Sequence, residues 1–181
     1  MTTQAKTTTD SHQKLVYLTT TALFSALICV TTAYVFHIPV GGNGGYVHVG
    51  DTLIYLASAL LPAPYAMIAG ALGGAFADIL TAPVWAPATL FIKIAISVPL
   101  TSKKDKIVNI HNIIGVIVAG FISFIGYYLA EVVMFGTWAA IIPSFLGSLA
   151  QSGGSAVLFI VCGHILDRMH FKGMIKNKFN I

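Results

Sequence analysis

From Leu15 to Phe36 the chain runs for about 20 residues without a charged side chain, the length of apolar helix that crosses a hydrocarbon layer. Further apolar segments cover about 52–62, 65–80, 84–100, 111–135 and 140–166. Pro62-Ala63-Pro64, Pro83, the run Lys103-Lys104-Asp105-Lys106 and the turn from Gly136 to Trp138 separate them. Runs this long and this close together leave a bilayer as the solvent. The composition agrees: of 181 residues 56% are hydrophobic and 9% charged, against about 25% charged in an average soluble domain. A soluble enzyme, a secreted disulfide scaffold and a nucleic-acid-binding domain are thereby excluded. Cys29 and Cys162 both lie inside apolar runs and read as small packing residues.

The pattern predicts an all-α integral membrane protein of six transmembrane helices in one domain, residues 15–167, with a Gly-rich outer loop at 37–50. Residues 1–14 read as a frayed polar tail and 168–181 as a second tail. The first apolar run is too long for a signal-peptide core, and no small-x-small cleavage site follows it, so it reads as an uncleaved span. The second segment, about 12 residues and roughly 18 Å long as a helix, is too short to cross alone as a straight helix.

Six crossings put both termini on one side. Lys6, Lys14, Lys103, Lys104, Lys106, Arg168, Lys172, Lys176 and Lys178 all fall at the termini or in the loop between segments four and five, which alternation places on that same side. The positive-inside rule makes that side cytoplasmic. The net charge of +4 is therefore a topology signal and not a mark of nucleic acid.

Lys93, the tenth basic residue, sits inside the fourth segment, where an ionisable group is costly and normally faces a protein interior or a water-filled cavity. Trp85, Thr89, Lys93 and Ser97 recur every four residues and share one helix face. Ser123, Tyr127 and Glu131 repeat that spacing on the fifth segment, and Ser144, Ser148, Gln151, Ser152 and Ser155 make a polar stripe on the sixth. One serine stripe is more often glue between helices than a site. Three stripes at one depth, carrying charges of both signs, point to a polar pocket open to the outside. The loop Gly41-Gly42-Asn43-Gly44-Gly45, followed by Tyr46, His48 and Asp51, suits a lid over a small polar aromatic ligand. It has no Walker A lysine–serine pair, so phosphate cradling is not expected. Asp78 either pairs with Lys93 or caps a helix. The third segment, from Ala66 to Ala77, is built largely of Ala and Gly and reads as a close-packing helix. Ala22 and Ala26 form an Ala-x-x-x-Ala pair on the first.

No ATP-binding motif and no internal repeat are visible, although a self-sufficient carrier is commonly built from two related halves. A pocket without an engine implies a binding subunit that relies on partners. The stretches His48-Val49-Gly50-Asp51, Leu60-Leu61-Pro62-Ala63-Pro64, Gly70 to Gly74 and Asp78-Ile79-Leu80, with Lys93 and the Ala22/Ala26 pair, resemble the S components of energy-coupling factor (ECF) vitamin transporters. The resemblance covers nearly the whole chain and is nearest to members assigned to hydroxymethylpyrimidine, a thiamine precursor, or pyridoxine. It departs from the commoner pattern at Pro62-Ala63-Pro64, where a glycine often precedes the proline.

The resemblance implies a high-affinity substrate-binding subunit in a bacterial plasma membrane. Its expected partners are a transmembrane coupling subunit, met through Ala22 and Ala26, and two cytoplasmic ATPase subunits. ATP is hydrolysed by those partners, and no cofactor is expected on this chain. Asn43, Tyr46, His48, Asp51, Trp85, Thr89, Lys93, Tyr127, Glu131 and Gln151 are the candidate substrate contacts, with Trp85, Tyr46, Tyr127 or Trp138 available to stack on a ring. Two other classes compete. A membrane enzyme would pair Ser152 or Ser155 with His164, although Ser152 and His164 are about 18 Å apart along one helix. A stand-alone proton-coupled carrier or channel would relay through Lys93 with Asp51, Asp78 or Glu131.

Overall fold

Each apolar segment becomes a helix, and the residues that cannot continue a helix set its ends. The computed structural model describes residues 2–39, 46–136 and 138–179. In it α1 spans Thr2–Tyr34, α2 Asp51–Leu60, α3 Ala63–Thr81, α4 Ala86–Ser97, α5 Ile110–Phe135, α6 Ile141–Arg168 and α7 Phe171–Phe179. The strands β1 (Ile38–Pro39) and β2 (Tyr46–Val47) pair antiparallel, with Ile38 opposite Val47 and Pro39 opposite Tyr46. Leu61, forced out of the helical region by Pro62, ends α2 in an extended conformation. A proline in the first turn of α3 costs that helix no hydrogen bond. The side chain of Asn109 caps α5 by accepting from the Asn112 amide at 3.1 Å, and Gly136 closes it at φ 66°.

Among the described residues four helical stretches are long and apolar enough to cross a membrane: Ser11–Tyr34, Ala63–Thr81, Ile110–Phe135 and Ser144–Arg168. Asp51–Leu60 and Pro83–Ser97 are apolar but shorter. The short α2 is buried along almost its whole length, including Asp51, Thr52, Ile54, Tyr55, Leu56, Ala57, Ser58 and Ala59. Its ends meet protein and not hydrocarbon, which is the condition under which a helix too short to span is tolerated at membrane depth.

The α3 helix lies between α1 and α4, its principal neighbours. A Cβ on Gly73 would come within 2.7 Å of Ile28 Cβ and of the Ser25 carbonyl oxygen on α1. One on Gly74 would come within 2.8 Å of Lys93 Cγ on α4. The small residues thus let one helix touch both neighbours at backbone range, the packing mode open to helices in lipid. The outer faces of α1, α5 and α6 carry large apolar side chains, among them Leu18, Phe121, Val133 and Leu149. Ala22 and Ala26 sit on the exposed face of α1 beside Leu23 and Leu27.

Two features depart from the expected outline. The backbone of the polar N-terminal segment is helical from Thr2 onward and continuous with the first span. The C-terminal segment carries α7, which folds back on the lysine-rich loop between α4 and α5. Asp167 accepts from the backbone N–H groups of Ile107 and Val108 at 2.7 and 2.9 Å. Lys172 donates to the carbonyls of Ser102 and Lys104 at 3.0 and 2.6 Å. Partial burial and the neighbouring Lys176 lower the Lys172 ammonium from 10.5 to about 8. The folded state therefore binds this proton more weakly than the unfolded state, so stability rises with pH between about 8 and 10.5 and is flat with respect to this group below that window. Thermal unfolding in detergent should show the rise, and Lys172→Gln should flatten it.

Candidate functional site

The polar stripes converge on one buried cluster. Gly50 precedes α2 at a place where a Cβ would lie 2.0 Å from Thr32 Oγ1, so only glycine lets the start of α2 press against α1. Asp51 then enters the first turn of α2, where the unpaired amides favour an anion, and is fully buried. Lys93 of α4, also fully buried, donates to Asp51 Oδ1 at 2.5 Å. Gln151 of α6 donates to Asp51 Oδ2 at 2.9 Å. The Lys93 ammonium stands 5.3 Å from the Tyr127 ring centroid, a cation–π arrangement. The Tyr127 hydroxyl shares a 3.0 Å hydrogen bond with Thr89 Oγ1. Trp85 meets Tyr127 edge-on at 6.1 Å and Phe135 at 5.8 Å. Asp51, Trp85, Thr89, Lys93, Tyr127 and Gln151 thus form one contiguous centre supplied by α2, α4, α5 and α6 and the turn that leads into α4.

A second group lies where the two ends of the outer loop meet. The Tyr46 ring stacks on His37 at 3.8 Å, and its hydroxyl donates to Asp78 Oδ1 of α3. His48 is buried, with Nδ1 accepting from the Gly50 amide at 3.0 Å and the ring 5.5 Å from Tyr46. Asn43 and the glycines around it lie outside the described residues.

The stripe on α5 divides. Tyr127 joins the centre, whereas Glu131 Oε2 accepts from Ser144 Oγ at 2.6 Å and ties α5 to α6. Trp138 is 69% exposed and packs edge-on against Tyr128. Ser152 and Ser155 are buried while His164 on the same helix is exposed, so the nucleophile–base pair does not form. Among the described residues no group of three or more His, Cys, Asp and Glu is placed to hold a metal.

Sequence reasoning left two relations open that the structure resolves. The partner of Lys93 is Asp51, and Asp78 belongs to Tyr46. Asp78 was not among the expected substrate contacts. Its place on α3, one helical turn after Gly74, which faces Lys93 and Thr89, puts it beside the centre.

The sequence model of the family described as ECF-type riboflavin transporter, S component, matches residues 12–168. The chain is also 29% identical over 142 residues to an uncharacterized protein from Pyrococcus woesei, an alignment covering 78% of this chain and 95% of that relative.

Proposed function

The chain belongs to the family of S components of ECF-type riboflavin transporters and is the membrane substrate-binding subunit of an ECF vitamin transporter; on that premise we propose that its cargo is a single-ring heteroaromatic vitamin or precursor, hydroxymethylpyrimidine or pyridoxine. The observation that carries this reading is the buried Asp51–Lys93–Gln151 cluster beside the Trp85–Tyr127 pair. A substituted pyrimidine or pyridine offers a flat ring for an aromatic neighbour, worth about 0.5–1.5 kcal/mol beyond area burial. Its ring nitrogen and hydroxymethyl group need hydrogen-bond partners, and such sites discriminate against analogues lacking those groups.

In this reading six segments cross a bacterial plasma membrane, the short α2 among them, and both termini are cytoplasmic. The vitamin enters from the outside beneath the loop carrying Asn43, Tyr46 and His48. The exposed Ala22/Ala26 face of α1 meets the coupling subunit, and two cytoplasmic ATPases hydrolyse the ATP. This chain itself binds no cofactor. A riboflavin cargo is the second reading, favoured by the description of the matching family. A stand-alone proton-coupled carrier would use the buried Lys93–Asp51 pair as its relay.

Reconstituted vesicles separate the subunit from the carrier. The chain alone is expected to bind radiolabelled vitamin without accumulating it, and uptake is expected only with coupling subunit, ATPases and ATP. Proton-driven accumulation by the chain alone would establish the carrier instead. Fluorescence locates the site. Trp85 is 7% exposed and beside Tyr127, so the ligand-induced change should survive Trp138→Phe and vanish in Trp85→Phe. The reverse pattern would move the site to the exposed Trp138 beside Tyr128.

A further inference from the structure

The lysine-rich end of the bundle carries a cleft that the buried centre does not use. It opens between α7 and the loop joining α4 to α5, measures about 310 Å³ and is lined by Lys106, His170, Phe171, Lys172 and Lys176. Asp105 and Asp167 also line it, but both oxygens of Asp167 already accept from backbone amides. Lys172 directs two of its three N–H donors at the Ser102 and Lys104 carbonyls, which leaves one. Burial first and the repulsion of Lys176 second lower its ammonium to about 8, and an anion in the cleft would offset both.

The surroundings say which anion. Ser144–Arg168 is long and apolar enough to cross a membrane, and the cleft begins where that stretch ends. Within residues 101–109 and 165–179, six lysines and Arg168 stand against two carboxylates, Asp105 and Asp167. Among the described residues no ion pair joins the two sets. Ile110, Met169 and Met174 stay exposed beside these charges. Such a face suits the headgroup layer of a bilayer, where apolar side chains and lysine stems meet acyl chains while ammonium groups meet phosphate. A protein partner fits less well, because protein interfaces are depleted in lysine and favour arginine. We propose that this cleft binds the phosphate headgroup of an anionic phospholipid through the ammonium groups of Lys106, Lys172 and Lys176, so that α7 lies on the membrane surface. Because Lys172 also bonds the α4–α5 loop, the lipid braces α7 against that loop. The site is independent of the vitamin centre and of its cargo.

The test is a titration of the full chain, in neutral detergent, with a fluorescent short-chain phosphatidylglycerol. Unlabelled phosphatidylglycerol, phosphatidylcholine, inorganic phosphate and glycerophosphoglycerol serve as competitors. Saturable binding is expected, displaced by phosphatidylglycerol at concentrations where the other three have no effect. Lys106 and Lys176 have exposed side chains, so the fold tolerates their replacement. Lys106→Gln and Lys176→Gln should each weaken binding roughly fivefold, and together roughly twentyfold or more. Lys14→Gln, which removes a lysine of α1 that does not line the cleft, should leave the affinity unchanged. Equal displacement by phosphatidylcholine overturns the proposal and leaves this face to a protein partner. Displacement by phosphate or glycerophosphoglycerol as effective as by the lipid overturns it in favour of a soluble anion. Equal losses in Lys14→Gln and Lys106→Gln overturn the cleft as the site, and so does unchanged binding in the double variant.

Discussion

Lys93→Met is expected to destabilise the chain by about 3–5 kcal/mol, because it leaves the Asp51 carboxylate buried with its counter-charge gone. Asp51→Asn should do comparable damage from the other side, stranding an ammonium that is fully buried. Combining the two should restore most of the loss, since a neutral amide and a thioether chain need no ion partner. The coupling in this double-mutant cycle is the signature of the pair. Unfolding of the three variants in detergent measures it. Additive losses would mean that the two groups act independently and that the 2.5 Å contact contributes nothing specific. Vitamin affinity should not recover with stability in the double variant if the charged pair also orients Gln151, which donates to the other Asp51 oxygen.

Gly73→Ala should have the second largest effect. The added methyl would sit 2.7 Å from both Ile28 Cβ and the Ser25 carbonyl oxygen, and neither a helix carbonyl nor a Cβ can swing aside. The α1 and α3 helices must part, at a cost of about 1–3 kcal/mol, and Gly73→Leu should cost more. Gly153→Ala is the matched control: it meets nothing within 4 Å and should be neutral or, through helix propensity, slightly stabilising. Equal effects at the two positions would show that the α1–α3 seam is looser than its glycines indicate.

The helices were legible because each of the first six coincides with an apolar run bounded by proline, glycine or lysine, and those boundaries are local. Lys93 was legible for a related reason, as a charge inside such a run. Its partner was not. Asp51 lies 42 residues away on another helix, and helical periodicity relates residues only within one element. The same gap explains Glu131, which shares a face with Tyr127 yet bonds Ser144 across the α5–α6 seam. The partner of Asp78 was not legible either, because Tyr46 lies 32 residues away, outside the helix that carries Asp78. The α7 helix was missed because nine residues of mixed polarity carry no run long enough to register. Lys172 holds it against the lysine-rich loop, and Asp167 ties the end of α6 to the same loop; the partners of both are backbone groups that no side-chain pattern reveals.

The most direct test of the central claim, that the Asp51–Lys93 centre binds a vitamin unaided, is a titration of the purified chain with hydroxymethylpyrimidine, pyridoxine, thiamine and riboflavin, following Trp85 in a Trp138→Phe background. Saturable binding of one compound near nanomolar, about −12 kcal/mol, is the predicted result. A flat signal with every compound, matched by an absence of radioligand binding, would contradict it.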